Sequence, residues 1–236
     1  MNLILDFGNS SAKAGLFNGL ELVKVYDRLA LDEISELARS RTFEYIFAST
    51  VSVGKDTIRE KIGQEVSFLS HETSVPFQNQ YKTPETLGLD RIAAVAGAQQ
   101  RFPDTNCLAI DIGSCITYDH ITASGDYFGG GISPGLDIRF KSLHTFTAGL
   151  PLIEFQEEAE LVGNSTRNSI LSGVIFGMQA EIEGIIRMYE DKFGDLKIIL
   201  CGGGSKVFEN RLKGAIFAAP HLVLEGLNRI LSYNVS

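Results

Sequence analysis

Cysteine is scarce in this sequence: there are three residues, Cys107, Cys115 and Cys201, an odd number without Cys-x-x-Cys spacing. That argues against a disulfide framework or a zinc site. Cys107 and Cys201 lie in apolar runs, where cysteine packs as a small hydrophobe, and Cys115 stands in a polar turn as a candidate exposed thiol. Basic residues are outnumbered, 21 Lys and Arg against 29 Asp and Glu, and they form no cluster. With a net charge of -8, neither a nucleic-acid groove nor binding to an anionic membrane surface is expected. No run approaches the roughly 18 apolar residues a spanning helix needs. The first residues lack a basic region and place Asp6 inside the first apolar run. The expectation is a cytoplasmic protein whose partners are small molecules. The four histidines, His71, His120, His144 and His221, share no metal-ligand spacing and are expected at solvated or turn positions.

Two familiar phosphate loops are missing. The Walker A pattern GxxxxGK[ST] would need its Gly-Lys pair at Gly54-Lys55, but Ser49 stands where its first glycine belongs and Asp56 where its hydroxyl belongs. GxGxxG is absent from the N-terminal strand and turn, against a Rossmann dinucleotide fold.

What is present is a repeat. LILDFGNSSAK opens the chain, and LAIDIGSCITYD follows about a hundred residues later, with Asp111 and Gly113 each 105 positions after Asp6 and Gly8. Around each copy the pattern predicts three strands with a tight turn, at Asn18-Gly19 in the first and Ser124-Gly125 in the second. The first half continues with helices over 31–40 and about 55–64, strands over 43–50 and around VSFLS, and a long helix through GLDRIAAVAGAQQRF. The second half has a helix after Pro134, an amphipathic helix from about 166 to 189, the strand LKIILC and two closing helices. The 236 residues, 44% hydrophobic and 21% charged, suffice for two modest domains, 1–104 and 105–236, without a low-complexity linker. The expectation is an α/β protein of two lobes with a cleft between them.

The chemistry of the repeat is local. A buried strand delivers Asp6 at its carboxyl end, Gly8 relaxes the backbone, and Asn9, Ser10 and Ser11 offer donors beside free N–H groups. Such a turn can hold phosphate oxygens, or it can be an ordinary hairpin with a capping Asp. Asp6 suits Mg²⁺ or its water shell and Lys13 supplies a point charge. A third glycine turn, CGGGS (201–205), follows a strand and allows close approach of a nucleotide, or serves only as a tight strand-to-helix turn. GGGISPG (129–135) either lines the site or turns the chain. Gly173, Gly177 and Gly184 in the long helix point to close helix packing, within one chain or between two.

Taken together, DFGNSSAK (6–13), YKTPETLGLDR (81–91), DIGSCITYD (111–119), GGGISPG and GNSTRNSILSG (163–173) resemble type III pantothenate kinases, in family order and nearly end to end. The resemblance implies two ribonuclease H-like lobes of the actin-like ATPase superfamily, duplicated βββαβα units with a nucleotide cleft between them. It implies ATP-dependent phosphorylation of pantothenate, the first step toward coenzyme A. It implies Mg²⁺, a monovalent cation (K⁺ or NH₄⁺) and a homodimer. By resemblance ATP is bound by Asp6, Phe7, Gly8, Asn9, Ser10, Ser11, Ala12, Lys13 and Ser114, the last standing where relatives usually have threonine. Pantothenate falls to Tyr81, Gly88, Leu89, Asp90, Arg91 and Thr166, with Asp90 as proton acceptor, and the monovalent cation to Asp111. Arg91 offers a planar fork for the pantothenate carboxylate or for a transferring phosphoryl group. Ser165 or Thr166 caps the long helix. The alternatives are a non-catalytic nucleotide-binding protein of the same fold and a kinase for another hydroxyl substrate such as a sugar.

Overall fold

A computed structural model of the chain describes residues 1–9, 11–156 and 158–235. The chain forms two compact units: Met1–Asp104 with Ile121–Gly129 and the segment from His221 onward, and Thr105–His120 with Gly130–Pro220.

The first unit opens with three strands, β1 (Asn2–Phe7), β2 (Ala12–Asn18) and β3 (Glu21–Leu29), joined to β4 (Tyr45–Thr50) and β5 (Ser67–Phe68) in the order β3-β2-β1-β4-β5. The β1/β2 and β2/β3 pairs are antiparallel, whereas β1/β4 and β4/β5 are parallel. Gly19 takes a left-handed φ of 57° in the β2–β3 turn, which matches the Asn-Gly hairpin expectation. Alternation along β1 sorts its side chains by face. Leu3, Leu5 and Phe7 pack with Ile34 and Ala38 of α1 (Leu31–Arg39) and Ile58 and Ile62 of α2 (Lys55–Ile62). Each such fully buried Leu or Ile contributes about 1.5–3 kcal/mol.

The opposite face carries Asn2, Ile4 and Asp6. There Asn2 donates to Asn228 Oδ1 of α7 (Leu222–Val235) at 3.1 Å. Helix α7 lies tightly on α3 (Leu89–Arg101): a Cβ at Gly226 would run into the Ala93 carbonyl, and one at Gly97 would come within 2.6 Å of the Leu222 carbonyl. Arg101 closes this pair with a two-pronged contact to Glu225, both bonds 2.6 Å.

The second sheet repeats the order. Strands β7 (Cys107–Ile112), β8 (Cys115–Ile121), β9 (Asp126–Pro134), β10 (Lys197–Cys201) and β11 (Ile216–Ala218) run β9-β8-β7-β10-β11. The short β6 (Gln78–Asn79) is added beside β9. In the second unit β7 and β8 pack against α5 (Thr166–Phe193) through Leu108, Ile110, Ile116, Met178, Ile182 and Ile186, with Phe208 of α6 (Ser205–Glu209). Phe140 of α4 (Leu136–Thr145) joins Ile153, Ile170 and Ile175 in a smaller cluster. By length and composition α5 could cross a membrane, although polar residues interrupt it throughout; its apolar stripe is buried in these two clusters.

Differences from expectation are few. β6 and β11 were not foreseen, since two- and three-residue strands carry no periodicity. β9 runs on to Pro134, and α5 to Phe193. Space for a Cβ is open at Gly173 and Gly177, so within the described residues no helix packs on them.

Candidate active site

The first acidic turn is built by β1 and its neighbours. Asp6 is in register with Lys13 on β2 and with Ser49 on β4, so the three side chains share one sheet face, the face on which α7 lies. Asp6 and Lys13 are half-buried and Ser49 is buried. The turn closes with the Gly8 N–H donating to the Ser11 carbonyl at 3.2 Å. Ser52 donates to the Gly8 carbonyl at 2.8 Å, a support that sequence reasoning missed because it reaches across from the segment after β4. Phe7 is buried among the first core, as is Ala12, while Asn9 is exposed. The expectation for Ser10 lies outside the described residues.

Tyr81, Gly88, Leu89, Asp90 and Arg91 stand together at the start of α3, whose N-cap is Gly88. Asp90 is exposed and its Oδ1 accepts the Arg91 backbone N–H at 2.9 Å. A Cβ at position 88 would crowd that same oxygen at 2.5 Å. The carboxylate thus lies in the first turn of α3, at the positive end of the helix dipole. Arg91 is buried, 5% exposed, with its guanidinium 5.7 Å from the centre of the Tyr81 ring. Tyr81 in turn lies parallel to Tyr127 with centroids 6.4 Å apart, and Phe77 meets Tyr127 edge-on. Gly129 has a φ of 111°, and a Cβ there would press on the Tyr81 ring at 2.7 Å. Only glycine adopts this backbone without strain while leaving that ring its place.

In the second unit three turns converge. Asp111 is the last residue but one of β7, and the Gly113 N–H donates to the Cys115 carbonyl at 2.9 Å. The CGGGS turn lies directly against this loop: Gly204 N–H donates to the Ile112 carbonyl at 2.8 Å, and Gly202, at a φ of 84°, leaves no room for a Cβ beside Asp111 Oδ1. The start of α4 is the third, with the Gly135 N–H donating to the Ser114 carbonyl at 3.0 Å. Asp111 and Ser114 are half-buried, while Gly113 and Cys115 are exposed. One carboxylate among backbone oxygens is a hard-oxygen donor set suited to a monovalent cation. Among the described residues no three His, Cys, Asp or Glu side chains converge as a transition-metal site would require. Thr166 opens α5 and is exposed; the cap is Ser165, whose hydroxyl accepts the Asn168 N–H at 3.2 Å.

One histidine expectation fails. His120 is not solvated but buried on β8, 4% exposed, with its ring stacked 3.9 Å from Phe193. Burial, assisted by the charge of Lys192, pushes its pKa down to about 4. Cys107 and Cys201 are buried, as their apolar runs foretold.

The family model of type III pantothenate kinase matches residues 2–188. A type III pantothenate kinase of Cytophaga hutchinsonii is 42% identical over 237 residues, covering 100% of both chains. One of Phocaeicola vulgatus is 44% identical over 239 residues, covering 99% of each. Among solved structures, a Campylobacter jejuni protein provisionally described as a Baf family transcriptional activator is 24% identical, with a TM-score of 0.65 and 98% of both chains covered. Component A of (R)-2-hydroxyglutaryl-CoA dehydratase from Acidaminococcus fermentans is 14% identical, with a TM-score of 0.52, 99% of this chain and 96% of that one being covered. The two structures share the fold, and the two kinases match over essentially the whole length. The chain belongs to the type III pantothenate kinase family.

Proposed function

We propose that this protein transfers the γ-phosphoryl group of ATP to the hydroxyl of pantothenate, giving 4′-phosphopantothenate and ADP at the first step toward coenzyme A. The observation that carries this reading is the start of α3, where an exposed Asp90 stands next to a buried Arg91 that faces Tyr81. The pantothenate oxygen attacks the γ-phosphorus, the bond to the β–γ bridging oxygen breaks, and the hydroxyl proton passes to Asp90. Phosphoryl transfer through a loose transition state needs placement and charge neutralisation more than a strong base, so an ordinary carboxylate suffices. Asp90 keeps Oδ1 on the Arg91 N–H, which fixes the carboxylate without burying it.

Tyr81, Gly88, Leu89, Asp90, Arg91 and Thr166 are the proposed pantothenate residues. The Arg91–Tyr81 contact favours the substrate side for this guanidinium, as partner of the pantothenate carboxylate. Residues 6–13 and Ser114 are assigned to ATP, with Asp6 serving Mg²⁺ or its waters and Lys13 the phosphate charge. Asp111 is assigned to K⁺ or NH₄⁺, whose bound charge offsets phosphate repulsion. A cytoplasmic location and a homodimer complete the reading; the open side of α5 at Gly173 and Gly177 supports the latter. Purified protein given MgATP should release ADP only when pantothenate and a monovalent cation are both supplied. Release that follows a sugar instead, in a panel of hydroxyl acceptors, would replace pantothenate as the substrate.

A further inference from the structure

The segment GGGISPG is tied to a residue that no motif marks, Glu181 in the middle of α5. Its carboxylate collects three donors. Tyr118 on β8 donates its hydroxyl to Oε1 at 2.8 Å, Ser133 on β9 donates to the same oxygen, and Arg139 on α4 pairs with Oε2. Arg139 also donates to the Pro134 carbonyl at 2.7 Å and to the Ser133 hydroxyl at 3.0 Å. Glu181 and Arg139 together therefore grip both residues that precede Gly135. Gly135 is the residue whose N–H holds the Ser114 carbonyl, and it fits so closely that a Cβ would strike the Gly113 and Ser114 carbonyls.

Further back on β9, Gly130 lies so close to the Tyr118 carbonyl that a Cβ there would overlap it, so Tyr118 meets the glycine run at its backbone and Glu181 at its hydroxyl. Burial of Glu181 would by itself raise its pKa, but the bonds from Ser133, Arg139 and Tyr118 outweigh this and hold it below the usual carboxylate range. It is ionised at neutral pH. Burial and the bond to Glu181 push the Tyr118 phenol up, so it remains a donor throughout the working range.

We infer that Glu181 is a positioning residue for the nucleotide and cation end of the site: through Ser133, Arg139 and the Pro134-Gly135 turn it fixes the Gly113-Ser114 backbone next to Asp111. The inference rests on the assignment of Ser114 to ATP and Asp111 to the cation. A brace of this kind contributes to binding because a small displacement of a turn misplaces every group on it. Its effect should be one-sided. None of the bonds to Glu181 and Arg139 involves Tyr81 or 88–91, and Thr166, though on α5, lies fifteen residues before Glu181 and outside the network, so the affinity for pantothenate should not change.

The test is Glu181→Gln, nearly isosteric but without charge. Binding of MgADP by titration calorimetry and steady-state constants for ATP, pantothenate and K⁺ are measured beside thermal melting. The expected result is a roughly tenfold weaker ADP affinity, with KM for ATP and the half-activating K⁺ concentration rising alike and KM for pantothenate staying within about twofold. Arg139→Lys, which keeps charge but loses the fork, should reproduce that pattern. A folded Glu181→Gln protein with wild-type ADP affinity, or with both substrate constants shifted equally, overturns the inference. If Glu181→Gln fails to fold, Ser133→Ala and Tyr118→Phe each remove one bond to the same carboxylate and are judged by the same one-sided criterion. Loss of fold in all of them assigns the network to stability alone and overturns the inference too. Wild-type protein that binds ADP without phosphorylating pantothenate removes the proposed activity and leaves the ADP comparison to decide the brace. Wild-type protein that binds no nucleotide removes both.

Discussion

Asp90 and His120 are opposite cases of a titratable side chain: one exposed at a helix start, the other buried in a sheet. Replacing Asp90 by Asn keeps the shape and the acceptor for the Arg91 N–H but removes the proton acceptor. Turnover should fall by about 10²–10⁴-fold with the melting temperature little changed, as ADP release and a thermal scan would register; a variant as active as wild type takes the role from Asp90. For His120 the sign follows from its depressed pKa. The unfolded chain binds a proton near 6.5 and the folded chain only near 4, so stability is complete above pH 6.5 and declines as pH falls toward 4. The decline amounts to at most about 3 kcal/mol, and His120→Phe, which retains the stack on Phe193, should flatten that part of a urea-midpoint profile between pH 4 and 7. At this scale the places of Asp6, Gly8 and Asp111 were legible, because strand-end carboxylates and turn glycines are local signals, whereas Asp90, in the first turn of α3, stood out only through the family resemblance of its segment. The sequence told nothing of Ser52 or Glu181, whose partners lie 44 and 42–63 positions away. It misplaced His120, since its aromatic neighbours belong to the far end of α5.

Elements with strong periodicity were legible. The amphipathic α1, the hairpin at Gly19 and the long α5 follow from spacing alone, and the repeated strand triplet predicted that the second half would copy the first. Strand order β3-β2-β1-β4-β5 recurring as β9-β8-β7-β10-β11 is the form that copy takes. Order could not be read beforehand, because pairing is decided by contacts between segments rather than within them. The same holds for α3 and α7. Gly226→Ala gains helix propensity of up to about 1 kcal/mol, yet it pushes a methyl into the Ala93 carbonyl, a backbone atom that cannot turn aside. Overpacking typically costs about 1–3 kcal/mol, so after that gain the net loss should be up to about 2 kcal/mol, lowering the melting temperature by up to roughly 8 °C. An unchanged or raised midpoint in differential scanning calorimetry would show that the two helices can separate without cost.

For the whole molecule, the proposed homodimer predicts a sedimentation-equilibrium mass near twice the 25.8 kDa chain at micromolar concentration; a single-chain mass at the same concentration counts against it. Another consequence belongs to the chain path. Helix α7, from Leu222 to Val235, completes the first unit, and its Leu222, Leu224, Leu227 and Ile230 are all buried. A fragment ending at Asp104 should therefore expose the Ala93–Gly97 side of α3, bind a hydrophobic dye and fail to show a cooperative melt. A sharp transition in that fragment would mean the unit closes without its last helix. On the ribosome the order of emergence makes this a matter of timing: the unit whose strands emerge early is sealed only once α7, more than a hundred residues later, has followed. Until then its half-built interior must be shielded from aggregation, and any truncation ahead of α7 harms strands laid down long before it.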